Sequence, residues 1–356
     1  MPPLTLLSPA NQVAAHLRAD LIRGRWSETM PGVNRLAEEL GVDDKTVDAA
    51  LQELEQDGLL IGQGPRRRRL VVPPKRKPSQ LLRVAILYYD EESDKQREYI
   101  NKLPDALMNA GHTIVACSAT LTELKMDVAR ISRLVNKTRA DAWVVMGGSR
   151  VVLEWFSTQS VPVFALFGRR EGLPIAAIGP DYRVAQIAAT RHLAKLGHQR
   201  IVMLCRRERR LPKPGPGERA FLDELKKLGL KVGDYNLPAW EETRRGLQNL
   251  LVSLFCVTPP TALIVDEPDI FFAAYQFLAK NNLQVPQQVS LISMENIPYF
   301  NWCATLLSHH EWDYSQVVTR ITRWAAAVSR GHRDIKQILV PTKFVAGDSI
   351  GPVPAQ

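Results

Sequence analysis

Residues 33 to 58, VNRLAEELGVDDKTVDAALQELEQDG, decide the fold of the N-terminal part of the chain. Apolar residues recur at three-and-four spacing on both sides of Gly41, which predicts two amphipathic helices that share one small core. Gly41 stands where the first helix must end in a left-handed residue, and Val42 follows as an apolar plug. The stretch predicts a helix-turn-helix whose buried faces are formed by Leu36, Ala37, Leu40, Val47, Ala50, Leu51 and Leu54.

The segments on either side extend this motif. Upstream, residues 11–24 (NQVAAHLRADLIRG) predict a third amphipathic helix that ends at Gly24. Downstream, apolar runs at 59–61 and 70–72 enclose GQGPRRRR, which predicts a two-stranded hairpin with glycine and arginine at its tip. Three helices and such a hairpin describe a winged helix-turn-helix, mostly helical with a β-hairpin wing.

The N-terminal stretch resembles the DNA-binding domain of GntR-type bacterial regulators over roughly residues 9 to 72. The resemblance is carried by the order of GRW, MPGVNRLAEELGV, TVDAAL, LEQDGLL and the Gly-rich hairpin. It implies a DNA-binding domain over residues 1–72. The chain departs from the family pattern where Asp44 and Asp48 stand in place of arginines at the start of the second helix of the motif, and where Asn34 replaces an arginine in the helix before it.

Charge is divided unevenly along this region. Residues 1–61 carry five Arg or Lys against ten Asp or Glu, whereas residues 62–80 carry seven Arg or Lys and no acid. Phosphate affinity is therefore expected to come mostly from the wing and the linker after it. Two packed helices alone would have only a structural role, but the attached wing and arginine run favour DNA binding. The predicted DNA-contacting residues are Arg35, Lys45, Thr46, Gln52, Gln63, Arg66, Arg67, Arg68 and Arg69.

Composition bounds the remaining possibilities. The chain has 356 residues, 45% hydrophobic and 23% charged, which fits two or three globular domains, and its net charge of +9 suits polyanionic partners without requiring them. Four scattered cysteines without a Cys-x-x-Cys pattern predict buried reduced thiols rather than a disulfide framework or a zinc site. The N-terminus does not resemble a secretion signal, and no apolar run is long enough to cross a bilayer, so we expect a cytoplasmic protein without membrane contact.

Motifs of catalysis and cofactor binding are not found. His309-His310-Glu311 would point to opposite faces of a strand, and no third metal ligand has suitable spacing. Gly147-Gly148-Ser149 is not followed by the Gly-Lys-Ser/Thr of a phosphate loop, and no Gly-x-Ser-x-Gly turn occurs. We therefore expect neither an enzyme nor a bound metal or cofactor.

Beyond a basic, proline-rich linker at 73–82, the pattern changes. Apolar strand-like runs alternate with amphipathic helices through residues 83–350, with 351–356 as a tail. Helices are predicted over 95–109 and 123–137, among others. Strands that are apolar on both faces and alternate with helices predict parallel sheets covered by helices. About 270 residues of this kind indicate an α/β domain of two lobes.

The second region resembles LacI/GalR-type regulators and periplasmic sugar-binding proteins. The likeness lies in DYRVA with HLAKLGHQRI (181–201), in PTALIV (260–265) and in VPQQVSLISMEN (285–296), with residues 341–349 as a final strand. It implies two Rossmann-like lobes around a cleft that binds small ligands at the strand ends. We expect cleft-lining side chains, placed after strands and suited to a polyol, at Tyr89, Asp90, Ser149, Phe167, Arg169, Asp266 and Glu295.

The residues expected in the cleft follow the family only in part. Glu295 stands where the family commonly has an acid that holds sugar hydroxyls, but Glu267-Pro268 replaces the usual Asn-Asp. The expected effector is a sugar or sugar derivative, although a standard sugar does not follow from these residues. Phe167 could equally belong to the core, and Arg169, Arg170 and the run 206–210 could equally be solvated surface.

Together the two resemblances imply a ligand-responsive DNA-binding transcriptional regulator, expected to act as a homodimer on a two-fold operator. One alternative is a GntR-headed protein with an aminotransferase-like body that binds pyridoxal phosphate, for which about 270 residues is short. The other is a solute-binding protein without a regulatory role, which would need an export signal and no winged helix.

Overall fold

A computed structural model describes residues 8–22, 25–26, 28–64, 67–72 and 81–353 of the chain. These residues form two compact units that divide between Ser79 and Gln80. The predicted helix end at Gly24, Arg66 of the wing and most of the predicted linker and tail lie outside the described residues. Each unit is described separately below.

The N-terminal unit is a winged helix, as the sequence predicts. Asp43 caps the second helix of the motif, α3 (Asp44–Gln56), by accepting a hydrogen bond from the backbone N–H of Thr46 at 2.9 Å, and Gly41 ends the first, α2 (Val33–Leu40), with φ 65°. The predicted apolar faces of α2 and α3 pack with α1 and the hairpin into one core. The elements are α1 (Pro9–Ile22), α2 (Val33–Leu40), α3 (Asp44–Gln56), β1 (Leu60–Ile61) and β2 (Leu70–Val71).

The wing has a further strand-like segment that the sequence did not predict. β1 and β2 pair antiparallel, with Leu60 opposite Val71. On the other side of β2, the N–H of Val71 donates to the carbonyl of Glu28, and the N–H of Met30 donates to the carbonyl of Arg69, both at 2.9 Å. The segment before α2 therefore fixes the base of the wing.

The C-terminal unit is built on a ten-stranded sheet with strand order β4-β3-β5-β6-β7-β12-β11-β10-β9-β8. All neighbours pair in parallel except β11 and β12. The first lobe starts with β3 (Arg83–Leu87), α4 (Glu91–Asp94), α5 (Glu98–Asn109), β4 (Thr113–Val115), α6 (Val128–Lys137), β5 (Ala142–Met146), α7 (Arg150–Ser157), β6 (Val163–Leu166) and β7 (Ala176–Asp181).

The chain then forms the second lobe and returns to the first. The second lobe comprises α8 (Arg183–Lys195), β8 (Ile201–Leu204), α9 (Arg207–Arg210), α10 (Pro216–Lys227), α11 (Arg244–Val257), β9 (Ala262–Val265), α12 (Pro268–Lys280), β10 (Ser290–Ser293), a 3-10 turn (Pro298–Trp302) and β11 (Ser308–Trp312). The returning elements are α13 (Gln316–Ser329), which packs on the first lobe, and β12 (Gln337–Val345).

Strand β12 belongs to both lobes. Residues 337–341 run parallel to β7 of the first lobe, and residues 342–345 run antiparallel to β11 of the second. The two lobes are thus parts of one continuous sheet, and the chain also passes between them after β7 and after β11. This architecture confirms the predicted two-lobed α/β domain and places the carboxyl ends of its strands around the space between the lobes.

Three element boundaries differ from the sequence-based predictions. The helix predicted from Lys95 starts at Glu98, after the separate turn α4. The helix predicted from Glu123 starts at Val128, because Asp127 caps it and the two preceding residues, 125 and 126, have positive φ. The final strand spans 337–345 rather than 341–349, because its pairing with β7 starts four residues before Pro341.

The cysteines also differ from expectation. All four are free thiols, but Cys256 is exposed, Cys117 and Cys303 are partly buried, and Cys205 is buried. The prediction of four buried thiols is therefore wrong for Cys256, which lies on the outer part of α11. Within the described ranges, no helix is long and apolar enough to cross a membrane, and no cluster of three or more potential metal ligands occurs.

Candidate functional site: the cavity between the lobes

A cavity of about 620 Å³ lies between the two lobes of the C-terminal unit and is lined from both sides. Five of the seven predicted cleft residues line it: Tyr89, Phe167, Arg169, Asp266 and Glu295. Asp90 and Ser149 are not among the lining residues. Both act as helix N-caps instead, since Asp90 accepts from the N–H of Ser93 at 3.1 Å and Ser149 accepts from the N–H of Val152 at 3.3 Å.

A tight turn after β6 brings the first-lobe residues to the cavity. Phe167 and Gly168 both have positive φ, 63° and 74°. A Cβ at Gly168 would lie only 2.5 Å from the carbonyl oxygen of Gly148, so this position requires glycine. The turn presents Phe167, Arg169 and Arg170 to the cavity in succession.

Arg97, which the sequence analysis did not single out, connects the two lobes at the centre of the cavity. It precedes α5 in the first lobe, and its Nη2 lies 2.7 Å from Glu295 and 3.1 Å from Glu267 in the second lobe. Its Nη1 also lies 3.5 Å from Asp94. Arg97 is 9% exposed, so these ion pairs are shielded from water. The acid predicted to hold ligand hydroxyls, Glu295, is thus already paired within the protein.

Tyr89 makes a second contact between the lobes. The guanidinium of Arg206 lies 3.9 Å from the centre of the Tyr89 ring, and Nη2 of Arg206 lies 3.3 Å from Glu267. The Tyr89 hydroxyl lies 3.4 Å from the carboxylates of both Glu208 and Glu242. Burial raises the pKa of Tyr89 well above its usual value, so the hydroxyl is a hydrogen-bond donor at neutral pH.

A third set of charges lies within the second lobe. Arg209 bonds Glu218 at 2.6 Å and Asp266 at 2.9 Å, and its guanidinium lies 4.8 Å from the centre of the Tyr182 ring. From the sequence alone, the arginines at 206–210 could equally have been solvated surface. The structure places Arg206 and Arg209 in the cavity wall, paired with the acids that follow β9.

Burial dominates the ionisation of these acids. It raises the pKa of Asp94 to about 6 and that of Asp266 to about 7, in each case against the opposing effect of an arginine. It also raises the pKa of Glu295, whereas Arg206 and Arg97 together hold the pKa of Glu267 below its usual value. Asp94, Asp266 and Glu295 therefore release their protons at a higher pH than exposed carboxyl groups do.

Arg169 makes a different kind of contact across the lobes. Its guanidinium donates to backbone carbonyls of Arg209 and Lys213, each at 3.0 Å, and to that of Glu208 at 3.3 Å. Together with the ion pairs of Arg97, these bonds hold the lobes in contact. The arrangement suits the binding of a polar small molecule between the lobes. A ligand there would contact Arg97 and Arg169, whose bonds connect one lobe to the other.

In the N-terminal unit, several predicted DNA-contacting residues are solvent-exposed. Arg35, Lys45, Gln52, Gln63, Arg67 and Arg68 are exposed, whereas Thr46 donates its hydroxyl to Asp43 at 2.6 Å within the α3 cap. Gln52 also donates to Asp48 at 3.0 Å, one turn away along α3. Of the predicted residues that the structure describes, Lys45, Arg67 and Arg68 are the exposed cations of α3 and the wing.

Arg69 has a structural partner on α3. Its guanidinium lies 2.9 Å from Asp48 and also pairs with Glu55. The acid at position 48, which departs from the GntR pattern, is therefore matched by an arginine of the wing. This pairing ties the wing to α3 and leaves Arg67 and Arg68 as the free charges of the described wing.

Comparison with known protein families gives two matches, one in each unit. Residues 9–67 match the family of bacterial regulatory proteins, gntR family, and residues 190–350 match the periplasmic binding protein-like domain. Comparison with curated proteins gives no match.

Solved structures of similar fold include transcription regulators. A LacI family regulator from Enterococcus faecium with bound ribose has 16% identity and a TM-score of 0.59, covering 76% of this chain and 99% of its own. A CelR–cellobiose complex has 14% identity and a TM-score of 0.60, covering 90% and 100%. CcpA of Lactococcus lactis has 15% identity and a TM-score of 0.62, covering 76% and 100%. At such identities the likeness shows the fold alone.

Proposed function

Since the chain joins a gntR-family regulatory domain to a periplasmic binding protein-like domain, we propose that it is a transcriptional regulator whose affinity for operator DNA is controlled by a small molecule in the cavity between the lobes. The observation that carries the proposal is that residues of both lobes line the cavity and pair across it, above all Arg97 with Glu267 and Glu295. A ligand that changes these contacts changes the relative stability of the lobe arrangements. The protein would act in the cytoplasm, where its DNA is.

The proposed effector is a sugar or a sugar derivative. Ribose and cellobiose are bound by two of the regulators of similar fold, and the cavity offers the aromatic faces of Tyr89, Phe167 and Tyr182 beside charged hydrogen-bonding groups. Glu295 remains the proposed acceptor for a ligand hydroxyl. Because Arg97 already bonds it, the ligand would share Glu295 with Arg97 or displace that side chain.

The DNA interface proposed for the N-terminal unit has two parts. Lys45 and Gln52 on the exposed side of α3, with Arg35 and Thr46, are proposed to face the bases and backbone of a major groove. Gln63 and the wing arginines, Arg66 to Arg68, are proposed to contact phosphates. Arg69 is proposed to act indirectly, by holding the wing against α3.

A homodimer is proposed from an exposed aromatic surface on the second lobe. Trp302 is 89% exposed and Tyr299 is 57% exposed on the 3-10 turn, and Phe272 of α12 packs beside that turn on Phe300. Large aromatic side chains exposed together are typical of an interaction site. Two copies joined there would present two winged helices to a two-fold operator. Replacing Trp302 by Asp should convert the dimer to a monomer in analytical ultracentrifugation, and an unchanged dimer would place the interface elsewhere.

The function can be tested with the full-length protein in two steps. A thermal-shift screen of monosaccharides, disaccharides and their derivatives identifies compounds that raise the melting temperature by mass action. Fluorescence anisotropy then measures the affinity for operator DNA, selected from random sequence, with and without each compound. The proposal expects a compound that binds the protein and changes operator affinity at least several-fold. Sequence-specific DNA binding that no bound compound alters would refute control through the cavity.

A further inference from the structure

Two consecutive arginines of the first lobe are buried at the cavity without a counter-charge. Arg169 and Arg170 are 8% and 6% exposed, and both line the cavity. Within the described residues, neither guanidinium has a carboxylate oxygen within the 4.0 Å of an ion pair, and Nε of Arg169 and Nε and Nη2 of Arg170 have no hydrogen-bond partner. Unpaired buried charges are costly and rare in protein interiors.

The acids nearest to this pair are already used or exposed. Asp181 is bonded by Arg183 through both of its carboxylate oxygens, at 2.8 and 2.5 Å. Glu218 is held by Arg209. Glu171, the next residue along the chain, is exposed to solvent. The backbone carbonyls that Arg169 contacts carry no net charge, so two positive charges remain unmatched at this end of the cavity.

The pKa values of Arg169 and Arg170 differ in direction from those of the other arginines in the cavity wall. Burial lowers the pKa of Arg169 and of Arg170 below the usual value for arginine. The pKa values of Arg97, which is buried, and of Arg206 and Arg209, which are partly buried, are raised because neighbouring carboxylates outweigh the effect of burial. The second lobe thus supplies counter-charges for three arginines and none for the Arg169–Arg170 pair.

A helix N-terminus faces the same end of the cavity. Gly215 is the N-cap of α10 and makes no side-chain cap, and residues 215–219 line the cavity. A Cβ at Gly215 would lie 3.5 Å from Nη1 of Arg169, so the arginine and the first turn of the helix are adjacent. Glu218 in this turn is paired with Arg209, and the partial positive charge of the helix N-terminus lies on the same side of the cavity as the two guanidinium groups.

We propose that this end of the cavity binds an anionic group of the effector, a phosphate or a carboxylate, through Arg169, Arg170 and the first turn of α10. This inference rests on the proposed function and adds the charge of the effector to it. The anion provides the counter-charge that the folded protein lacks, and in the low dielectric of the cavity that attraction is strong. A neutral sugar would leave both guanidinium groups unmatched.

The test uses the full-length protein with inorganic phosphate and acetate as separate probes, in calorimetric titrations at constant ionic strength. We expect saturable binding of at least one probe, weakened about tenfold or more in Arg170→Gln and in Arg169→Gln. Arg130→Gln, on the exposed side of α6 in the same lobe, is the matched control and should bind like the wild type. Preference for phosphate over acetate, or the reverse, identifies which anion the effector carries.

A second measurement does not depend on the probe. Because Arg170 is an uncompensated buried charge, Arg170→Met should leave the melting temperature of the free protein unchanged or raise it, while removing the increase caused by the anion. A purely structural arginine would give the opposite result, a large drop in melting temperature. Arg170→Lys keeps the charge but lacks the planar set of donors, so it should retain part of the anion binding. It provides the test if Arg170→Gln or Arg170→Met fails to fold.

The inference is overturned if neither anion binds saturably, or if Arg130→Gln weakens binding as much as Arg170→Gln does. Its failure can be told apart from failure of the proposed function. A neutral sugar that alters operator affinity equally in the wild type and in Arg170→Gln would keep the proposed function and remove the anion site. Anion binding that depends on Arg170 but never alters operator affinity would keep the anion site and refute the proposed function.

Discussion

Replacing Arg97 by Met tests whether the ion pairs of Arg97 hold the two lobes together. The substitution keeps most of the apolar stem but removes the guanidinium that bonds Glu267 and Glu295 and lies near Asp94. These partners are themselves largely buried, with side-chain exposures of 14%, 15% and 9%. Removing one member of a buried ion pair leaves the opposite charge buried without its partner, which costs about 3 to 5 kcal/mol of unfolding free energy.

The loss should depend on pH in a defined direction. Without Arg97 the pKa values of Asp94 and Glu295 rise further above their unfolded values, and the pKa of Glu267 rises from its lowered value, because the group that favoured their charged forms is gone. A carboxyl group whose pKa is raised in the folded state stabilises it at low pH, and this stabilisation is lost as the pH rises through the folded pKa. The deficit of Arg97→Met should therefore be larger at pH 8 than at pH 5.

Urea unfolding followed by tryptophan fluorescence is a suitable assay, because six of the seven tryptophans lie beyond residue 80 and report on the C-terminal unit. The double variant Arg97→Met with Glu295→Gln should recover part of the loss, since it also removes the carboxylate for which Arg97 is the ion-pair partner within the described residues, whereas Glu267 keeps Arg206 as a partner. Arg183→Met is the matched control. Arg183 pairs with Asp181 through two bonds, but its side chain is 54% exposed, so its loss should cost at most about 1 kcal/mol.

Small-angle X-ray scattering gives an independent measurement, since the free variant should populate a more open arrangement with a larger radius of gyration. A change in unfolding free energy for Arg97→Met no greater than that for Arg183→Met would refute the reasoning. So would a loss that is the same at pH 5 and pH 8.

Three further predictions concern the wing, α3 and the acids of the cavity. The double variant Arg67→Ala with Arg68→Ala should weaken binding to all DNA sequences alike and flatten the salt dependence of that binding. Arg69→Ala should in addition lower the melting temperature of the N-terminal unit, because Arg69 pairs with α3. An unchanged salt slope would count against the wing as a phosphate contact. Lys45→Ala or Gln52→Ala should reduce discrimination between operator and random DNA more than it reduces non-specific binding, and equal losses on both would show that α3 does not read the bases. The unfolding free energy should fall between pH 5 and pH 8, because burial raises the pKa of Asp266 to about 7. Asp266→Asn should flatten this pH profile. If the variant keeps the wild-type profile, groups other than Asp266 cause the pH dependence.

The parts of the fold that the sequence predicts are those with local signals. Gly41, the Asp43 cap and the apolar spacing around them predict the helix-turn-helix from residues close in the chain. The strand-like pairing of Glu28 and Met30 with the wing was missed because it depends on contacts with residues about forty positions away. The break between α4 and α5 was missed for a different reason, since the short turn that Asp90 caps is not distinguished by periodicity from the helix that follows.

The part of the site that lies at the ends of strands was predictable from the sequence. Tyr89, Phe167, Asp266 and Glu295 follow strands, and each lines the cavity. Arg97 lies ten residues beyond the end of β3 at Leu87 and directly before α5, so no strand-end argument identifies it. Which acid pairs with which arginine also could not be derived, because it depends on the positions of both lobes.

The first lobe is assembled from two separate stretches of the chain. Its β3 to β7 are made early, but α13, whose Trp324 packs on Phe164 with ring centres 5.4 Å apart, is made only after the entire second lobe. During synthesis the face of the sheet that α13 covers therefore stays uncovered until Gln316–Ser329 emerges, so the lobe that is begun first cannot complete its core until strands β8 to β11 of the second lobe have been made. A premature stop after Trp312 would accordingly destroy the packing of the first lobe, far from the break in sequence, and expose its apolar core to aggregation.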